Sequence, residues 1–252
     1  MDRGNSKGEI MSDDILVQQD GPILRITLNR PDHGNGATDP MALTLTDALL
    51  KAGETSRLVV LTGAGKDFCI GRATMGVKPA VDPEAVVRKR QSDVIFNAYA
   101  AFRGASVPII AKVRGRVLGF GCAIAGVADM TIAAENAQFQ IPEMAHQIMP
   151  TMVISALMDR VRRKDLTYLV YSTATISATR AREVGIASEV VPDAQLDEFV
   201  SDLCKTILSM PDIATKGAKE FFRHGLTMDT PGGIDYARNI HAVLNSSKEM
   251  RL

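Results

Sequence analysis

The stretch Leu118-Gly119-Phe120-Gly121-Cys122-Ala123-Ile124-Ala125-Gly126-Val127-Ala128 opens on glycines and presents no polar face. A helix that is apolar all round has to be buried on every side, so this segment demands a large core around it. The first amides of any helix lack an intrahelical acceptor and stand at the positive end of its dipole. Where glycines let a ligand approach, a buried helix start can hold an anion, and the Phe120 N–H is the leading candidate donor. Pro108 to Val113 before it reads as a buried strand, as do Met130 to Ala134 and Phe139 to Ile141 after it. Pro142 holds Ile141 extended and presets a helix start, which puts Glu143 in a first turn. Backbone donors and a carboxylate thus fall together between Val113 and Glu143, the pattern of an active site.

The rest of the composition bounds what such a site can serve. With 252 residues, of which 46% are hydrophobic and 23% charged, the chain can bury one substantial core. Lysine plus arginine equals aspartate plus glutamate at 29 each, with no tryptophan, which argues against a nucleic-acid groove or an anionic membrane surface as partner. Cys69, Cys122 and Cys204 sit in apolar contexts without metal-ligand spacing, so neither a disulfide framework nor a metal site is expected. The first residues mix both charge signs and carry no apolar run, so 1–14 reads as a flexible tail and the expected location is cytoplasmic. A literal G-x-S-x-G at Gly4 to Gly8 lacks the strand and helix that a nucleophile elbow needs. Gly63-Ala64-Gly65-Lys66 fails as a phosphate loop, because Val60 and Asp67 stand where Gly and Ser or Thr are required.

Along the chain, Ile15 to Gln18 and Ile23 to Leu28 flank Asp20-Gly21, a hairpin signal. An amphipathic helix follows from Pro40 to about Lys51, then a buried strand over Leu58 to Thr62 and a helical pattern from about Glu84 to Phe102. Val77 to Pro83 reads as a loop with two prolines. Ile148 to Leu157 and Lys164 to Tyr171 are helical, Ser177 to Gly185 is a capped helix, and Ala187 to Val191 is a short edge strand. Leu196 to Met210, Pro211 to His224 and Gly232 to Asn245 are amphipathic helices.

Several of these stretches together resemble the crotonase, or enoyl-CoA hydratase/isomerase, superfamily. Leu118 to Asp129 is similar to its "aliphatic-Gly-Gly-Gly-Cys…Asp" fingerprint, and Ala137 to Glu143 to its "AxFxxPE". Upstream, Leu61 to Ala73 resembles "LTGxGxxFxxGxD", and downstream Ile176 to Pro192 resembles "ISAxxAxxxGLVxxVVP". The likeness covers roughly residues 15–245. It implies an α/β fold with a crotonase-like stacked ββα core over 15–195 and a helical C-terminal trimerisation region over 196–252. It implies a homotrimer or a dimer of trimers, an acyl-CoA substrate, and no separate cofactor, since CoA is part of the substrate.

By the same resemblance, Ile70, just before Gly71, donates a second backbone hydrogen bond to the thioester oxygen beside that of Phe120. Gly71, Arg72, Gly119 and Gly121 flank this oxyanion hole as candidate substrate contacts; Arg72 can pair with a CoA phosphate or an acid on the substrate, or stand as a solvated surface arginine. Glu143 matches the carboxylate that moves protons in the family, and the region from Glu84 to Phe102 matches the wall of the acyl pocket. His146, three residues on, shares the helix face of Glu143 and can tune it or act as a second acid. Asp129 reads as structural, through hydrogen bonds to local backbone.

Four departures stand out, the first being Arg72-Ala73-Thr74 in place of the family's usual Ala-Asp-[Ile/Leu]. Ala123 replaces the first of the two glutamates by which hydratases hold water, so single-acid isomerase chemistry through an enolate is preferred to hydration. Thr151-Met152 replaces a glycine in the pocket wall. The chain ends at Leu252 without the family's usual terminal segment. A hydratase is the alternative activity, and a catalytically degenerate acyl-CoA-binding or scaffold protein is the competing class.

Overall fold

The computed structural model describes residues 13–74 and 84–251. Two readings fall outside them, the motif at Gly4 to Gly8 and the loop at Val77 to Pro83. Of the presumed tail, Asp13 and Asp14 are held, because both their carbonyls accept from Asn29, at 2.8 and 2.7 Å.

The expected hairpin forms from β1 (Ile15–Asp20) and β2 (Ile23–Leu28), which pair antiparallel. After α1 (Asp39–Thr55), capped by the Thr38 hydroxyl, β3 (Leu58–Gly63) lies parallel to β2. Then come α2 (Ala85–Gly104), β4 (Ile109–Val113) and β5 (Arg116–Leu118). The organising helix α3 spans Phe120–Val127, and β6 (Met130–Ala134) and β7 (Gln138–Gln140) follow. Beyond a single 3₁₀ turn at Glu143–His146 lie α4 (Thr151–Leu157), α5 (Arg163–Ser172), β8 (Ile176–Ser177), α6 (Ala178–Glu183) and β9 (Glu189–Val191). The chain closes on α7 (Leu196–Ser209), α8 (Asp212–His224) and α9 (Thr230–Asn245).

The strands form two sheets. The larger has the order β1-β2-β3-β4-β6-β9, parallel except for the hairpin, with β9 at its edge as expected. The smaller has the order β5-β7-β8. A parallel sheet covered on both sides needs apolar residues at odd and even positions alike. In β3, Val59 and Leu61 join the main core with residues of α1, α2 and α3, whereas Leu58 and Val60 join a second cluster with Leu196, Val200, Cys204 and Ile207 of α7. Helix α3 is buried at every position, as its composition requires.

Two sequence expectations shift. Leu118 belongs to β5, so the helix starts two residues later, and the turn at Glu143 is 3₁₀ and ends at Gln147 with φ 59°. Asp129 is structural, but its bonds are long-range. Its Oδ2 accepts the Ile109 N–H at 2.8 Å and the Lys219 ammonium at 2.5 Å. Lys219, itself buried, also donates to the Phe102 carbonyl at 2.9 Å, tying α8 to the core.

Candidate active site

The segment Asp67 to Ala73 is pinned on both sides. Asp67 is buried and takes the Arg116 guanidinium in two parallel bonds of 3.0 and 2.7 Å, together with the Arg116 N–H at 3.1 Å. Bonding to Arg116 holds the Asp67 carboxyl below its ordinary range. Asn35, fully buried, donates to the Ala64 and Asp67 carbonyls at 2.8 and 2.7 Å. Cys69 bridges to Val117 of β5, so this segment runs along the smaller sheet and reaches the start of α3.

Glycines let the two come together. A Cβ on Gly121 would lie 2.2 Å from the Cys69 carbonyl oxygen, so only glycine permits this approach. Gly119 precedes the helix at φ 51° and ψ −113°, and its own N–H donates to Gln140 O at 3.0 Å. The first intrahelical bond is Ala123 N–H to Gly119 O, which leaves the Phe120, Gly121 and Cys122 amides ahead of it without helical acceptors.

The second expected donor is corrected. The Ile70 N–H donates to the Gly34 carbonyl at 3.0 Å, so its one hydrogen is already used. Arg72 is the available amide. Ala37 N–H bonds Gly71 O and Ala73 N–H bonds Ala37 O, both at 2.8 Å. In such a parallel bridge the N–H of the residue between, Arg72, faces away from Ala37, and no acceptor among the described residues meets it. Gly71, at φ 106°, makes the turn that sets this orientation.

Glu143, Phe120 and Arg72 line one cavity of ≈ 230 Å3, with Thr74, Ile95, Tyr99 and residues 148–153 completing it. The carboxylate is buried, and its Oε2 has no hydrogen-bond partner. Burial pushes the Glu143 pKa above the ordinary 4.5, opposed by a bond to its own backbone and by the charge of His146. Glu143 stands in a four-residue 3₁₀ turn, too short for a helix dipole to account for an acid at this place. His146 is exposed and is not among the cavity's lining residues, and its charge acts to lower the Glu143 pKa. Ala123 is fully buried, and among the described residues no second carboxylate lines the cavity.

The helix α2 supplies Ile95 and Tyr99, as the resemblance implied for that region, and Thr151 and Met152 form part of the wall. Tyr99 was not singled out in the sequence, where it is one apolar-face residue among Ile95, Ala98 and Phe102. Its ring stacks on Phe120 with centroids 5.7 Å apart. Burial and the nearby Glu143 charge both push its phenol up, so it stays protonated at neutral pH. Among the described residues, no three His, Cys, Asp or Glu side chains gather as a metal site, and no helix is long and apolar enough to cross a membrane.

Comparison with known proteins shows the family and the fold. Residues 18–251 match the family model described as enoyl-CoA hydratase/isomerase. The chain is 28% identical to the 2,3-dehydroadipyl-CoA hydratase of Escherichia coli (strain K12), covering 94% of this chain and 92% of that protein. It is 30% identical to a probable enoyl-CoA hydratase of Rhizobium meliloti (strain 1021), over 94% and 91%. A putative enoyl-CoA hydratase from Thermobifida fusca YX, solved in complex with CoA, superposes with a TM-score of 0.82 at 27% identity, covering 93% of each chain. The enoyl-CoA hydratase of Mycobacterium smegmatis shares the fold, with a TM-score of 0.88 at 23% identity over 95% and 93%. With its buried glycine-opened helix and the buried Glu143, this chain is a member of the enoyl-CoA hydratase/isomerase family.

Proposed function

We propose that the protein binds an acyl-CoA thioester and moves a proton at a carbon conjugated with the thioester, with Glu143 as acid/base and the Phe120 and Arg72 amides as the oxyanion hole. The observation that carries this reading is the buried Glu143 Oε2 without a partner, in the same cavity as the start of α3. Removing a proton beside a thioester carbonyl places negative charge on its oxygen. Two fixed backbone donors in a dry site meet that charge without reorganising, and one such donor is typically worth about 10²–10³-fold in rate. The deprotonated Glu143 takes the proton, and its protonated form returns it elsewhere on the same face.

One carboxylate suffices for this shift of a double bond, and Ala123 offers no carboxylate to hold water, so isomerase-type chemistry is the preferred reading. Hydration is the second reading, favoured by the hydratase names of the relatives at 27–30% identity. Incubating the protein with a 3-enoyl-CoA and a 2-enoyl-CoA of equal chain length separates the two. Faster conversion of the 3-enoyl thioester supports isomerisation, faster water addition to the 2-enoyl thioester supports hydration, and tight binding without either leaves a degenerate binding protein.

Assembly is proposed on the C-terminal helices. Phe222 of α8 and Ile234 and Val243 of α9 expose large apolar side chains, and α9 has no buried residue in the single chain. A trimer or a pair of trimers covers them. Light scattering that finds only monomer at micromolar concentration contradicts this.

A further inference from the structure

Among the described residues, four buried side-chain polar atoms have no hydrogen-bond partner: Arg72 Nε, Arg114 Nε, Glu143 Oε2 and Asp193 Oδ1. Buried polar atoms are nearly always satisfied, so each exception calls for a cause. Arg114 Nε and Asp193 Oδ1 face one another at 3.4 Å and account for each other. The other two belong to residues that line one cavity, Arg72 and Glu143. Glu143 has its role in proton transfer. Arg72 Nε is left over.

The Arg72 side chain is not a solvated surface arginine. It is 21% exposed, and its Nη2 pairs with Asp39, whose side chain is 51% exposed. One end of the guanidinium is therefore tied outward while its Nε–H is shut away from water. The cavity around it is walled chiefly by apolar groups, among them Ile95, Ile148, Met149 and Val153. A desolvated cationic donor in such surroundings is costly unless a ligand supplies an acceptor. The free Nε–H suits an anionic oxygen, such as that of a carboxylate, on a ligand.

We infer that Arg72 is a specificity-determining residue that binds a carboxylate on the acyl group, so that the preferred substrate is a short acyl-CoA carrying a second acid. This rests on the acyl-CoA reading of the site. An anionic oxygen on the ligand could belong either to the acyl group or to a CoA phosphate. The pantetheine arm holds the phosphates far from the thioester, and Arg72 shares its cavity with the groups that act on the thioester, which favours the acyl group.

The test is calorimetric titration with saturated CoA thioesters, which cannot turn over. Succinyl-, glutaryl- and adipyl-CoA are compared with butyryl-, valeryl- and hexanoyl-CoA and with CoA alone. For the wild type, at least one carboxylated thioester is expected to bind about 10-fold or more tightly than its neutral match, the scale of one charge-assisted hydrogen bond. Arg72→Met is expected to bring that ratio to about 1 and Arg72→Lys to restore part of it. Asp39→Asn, which removes the competing carboxylate but keeps Arg72, is expected to raise it, an effect that general structural damage does not produce. Equal binding of the two series by the wild type overturns the inference. So does an Arg72→Met variant that weakens both series and CoA alike, because Arg72 then serves a phosphate or the fold. Failure of every thioester and of CoA to bind the wild type overturns the acyl-CoA reading itself, and this inference with it.

Discussion

The ring of Tyr99 lies over the ring of Phe120 with centroids 5.7 Å apart and planes inclined by 26°. Phe120 thereby meets α2 with its side chain while its backbone N–H stands at the start of α3, so the stack fixes the position of one proposed oxyanion donor.

Tyr99→Phe keeps this stack and is expected to change stability by less than about 1 kcal/mol, whereas Tyr99→Ala removes a buried ring and is expected to cost about 3–5 kcal/mol. Denaturant unfolding of both variants checks the difference. Equal stability of the two removes the stack from the account of the site.

The Asp67–Arg116 pair is expected to make the fold acid-sensitive. Its folded pKa lies below the ordinary 3.8, so Asp67 contributes stability at pH values above the unfolded pKa and loses it as pH falls through the folded one. Asp67→Asn is expected to be less stable than the wild type by about 2 kcal/mol at pH 7, the scale of hydrogen bonds to a charged group. Thermal melts between pH 7 and pH 3 are expected to show that gap closing on the acid side. A gap that is constant with pH contradicts the ion-pair explanation.

Much of this was legible in the sequence. The parallel strands β3, β4 and β6 read as continuous apolar runs because both faces of their sheet are covered, and α3 read as buried because it has no polar side. That Glu143 and Phe120 come together in one cavity was legible from the same stretch. The three-residue β5 and two-residue β8 were not, since strands so short are set by pairing with β7 and have no periodicity of their own. The Ile70 assignment failed for a related reason. Which amide in Cys69 to Ala73 is free depends on bridges to Val117 and Ala37, partners that are distant in sequence. His146 was placed by helical spacing, but the turn is 3₁₀ and leaves it exposed, and the contact of Tyr99 with Phe120 joins two helices that no local pattern links.

Glu143 titrates in two experiments with opposite consequences. As a base it must be ionised, and burial raises its pKa above 4.5, so the acid limb of kcat/KM is expected above that value. For stability the sign reverses. A raised carboxyl pKa favours the folded state below the unfolded value, and that contribution disappears as pH rises through the folded value. Glu143→Gln does not titrate, so its melting temperature relative to wild type is expected to be higher at pH 8 than at pH 4. A difference independent of pH shows that the carboxyl is not desolvated in solution.

The most direct measurement of the central claim is turnover of 3-enoyl- and 2-enoyl-CoA by Glu143→Gln beside the wild type, with calorimetric affinity for a saturated acyl-CoA measured on the same preparations. Gln keeps the size of the side chain and cannot take a proton. The expected result is a loss of about 10²–10⁴-fold in kcat in whichever reaction the wild type performs, with affinity changed by less than about 3-fold. A folded variant that binds the thioester and keeps wild-type kcat contradicts the assignment and moves the proton transfer to another group.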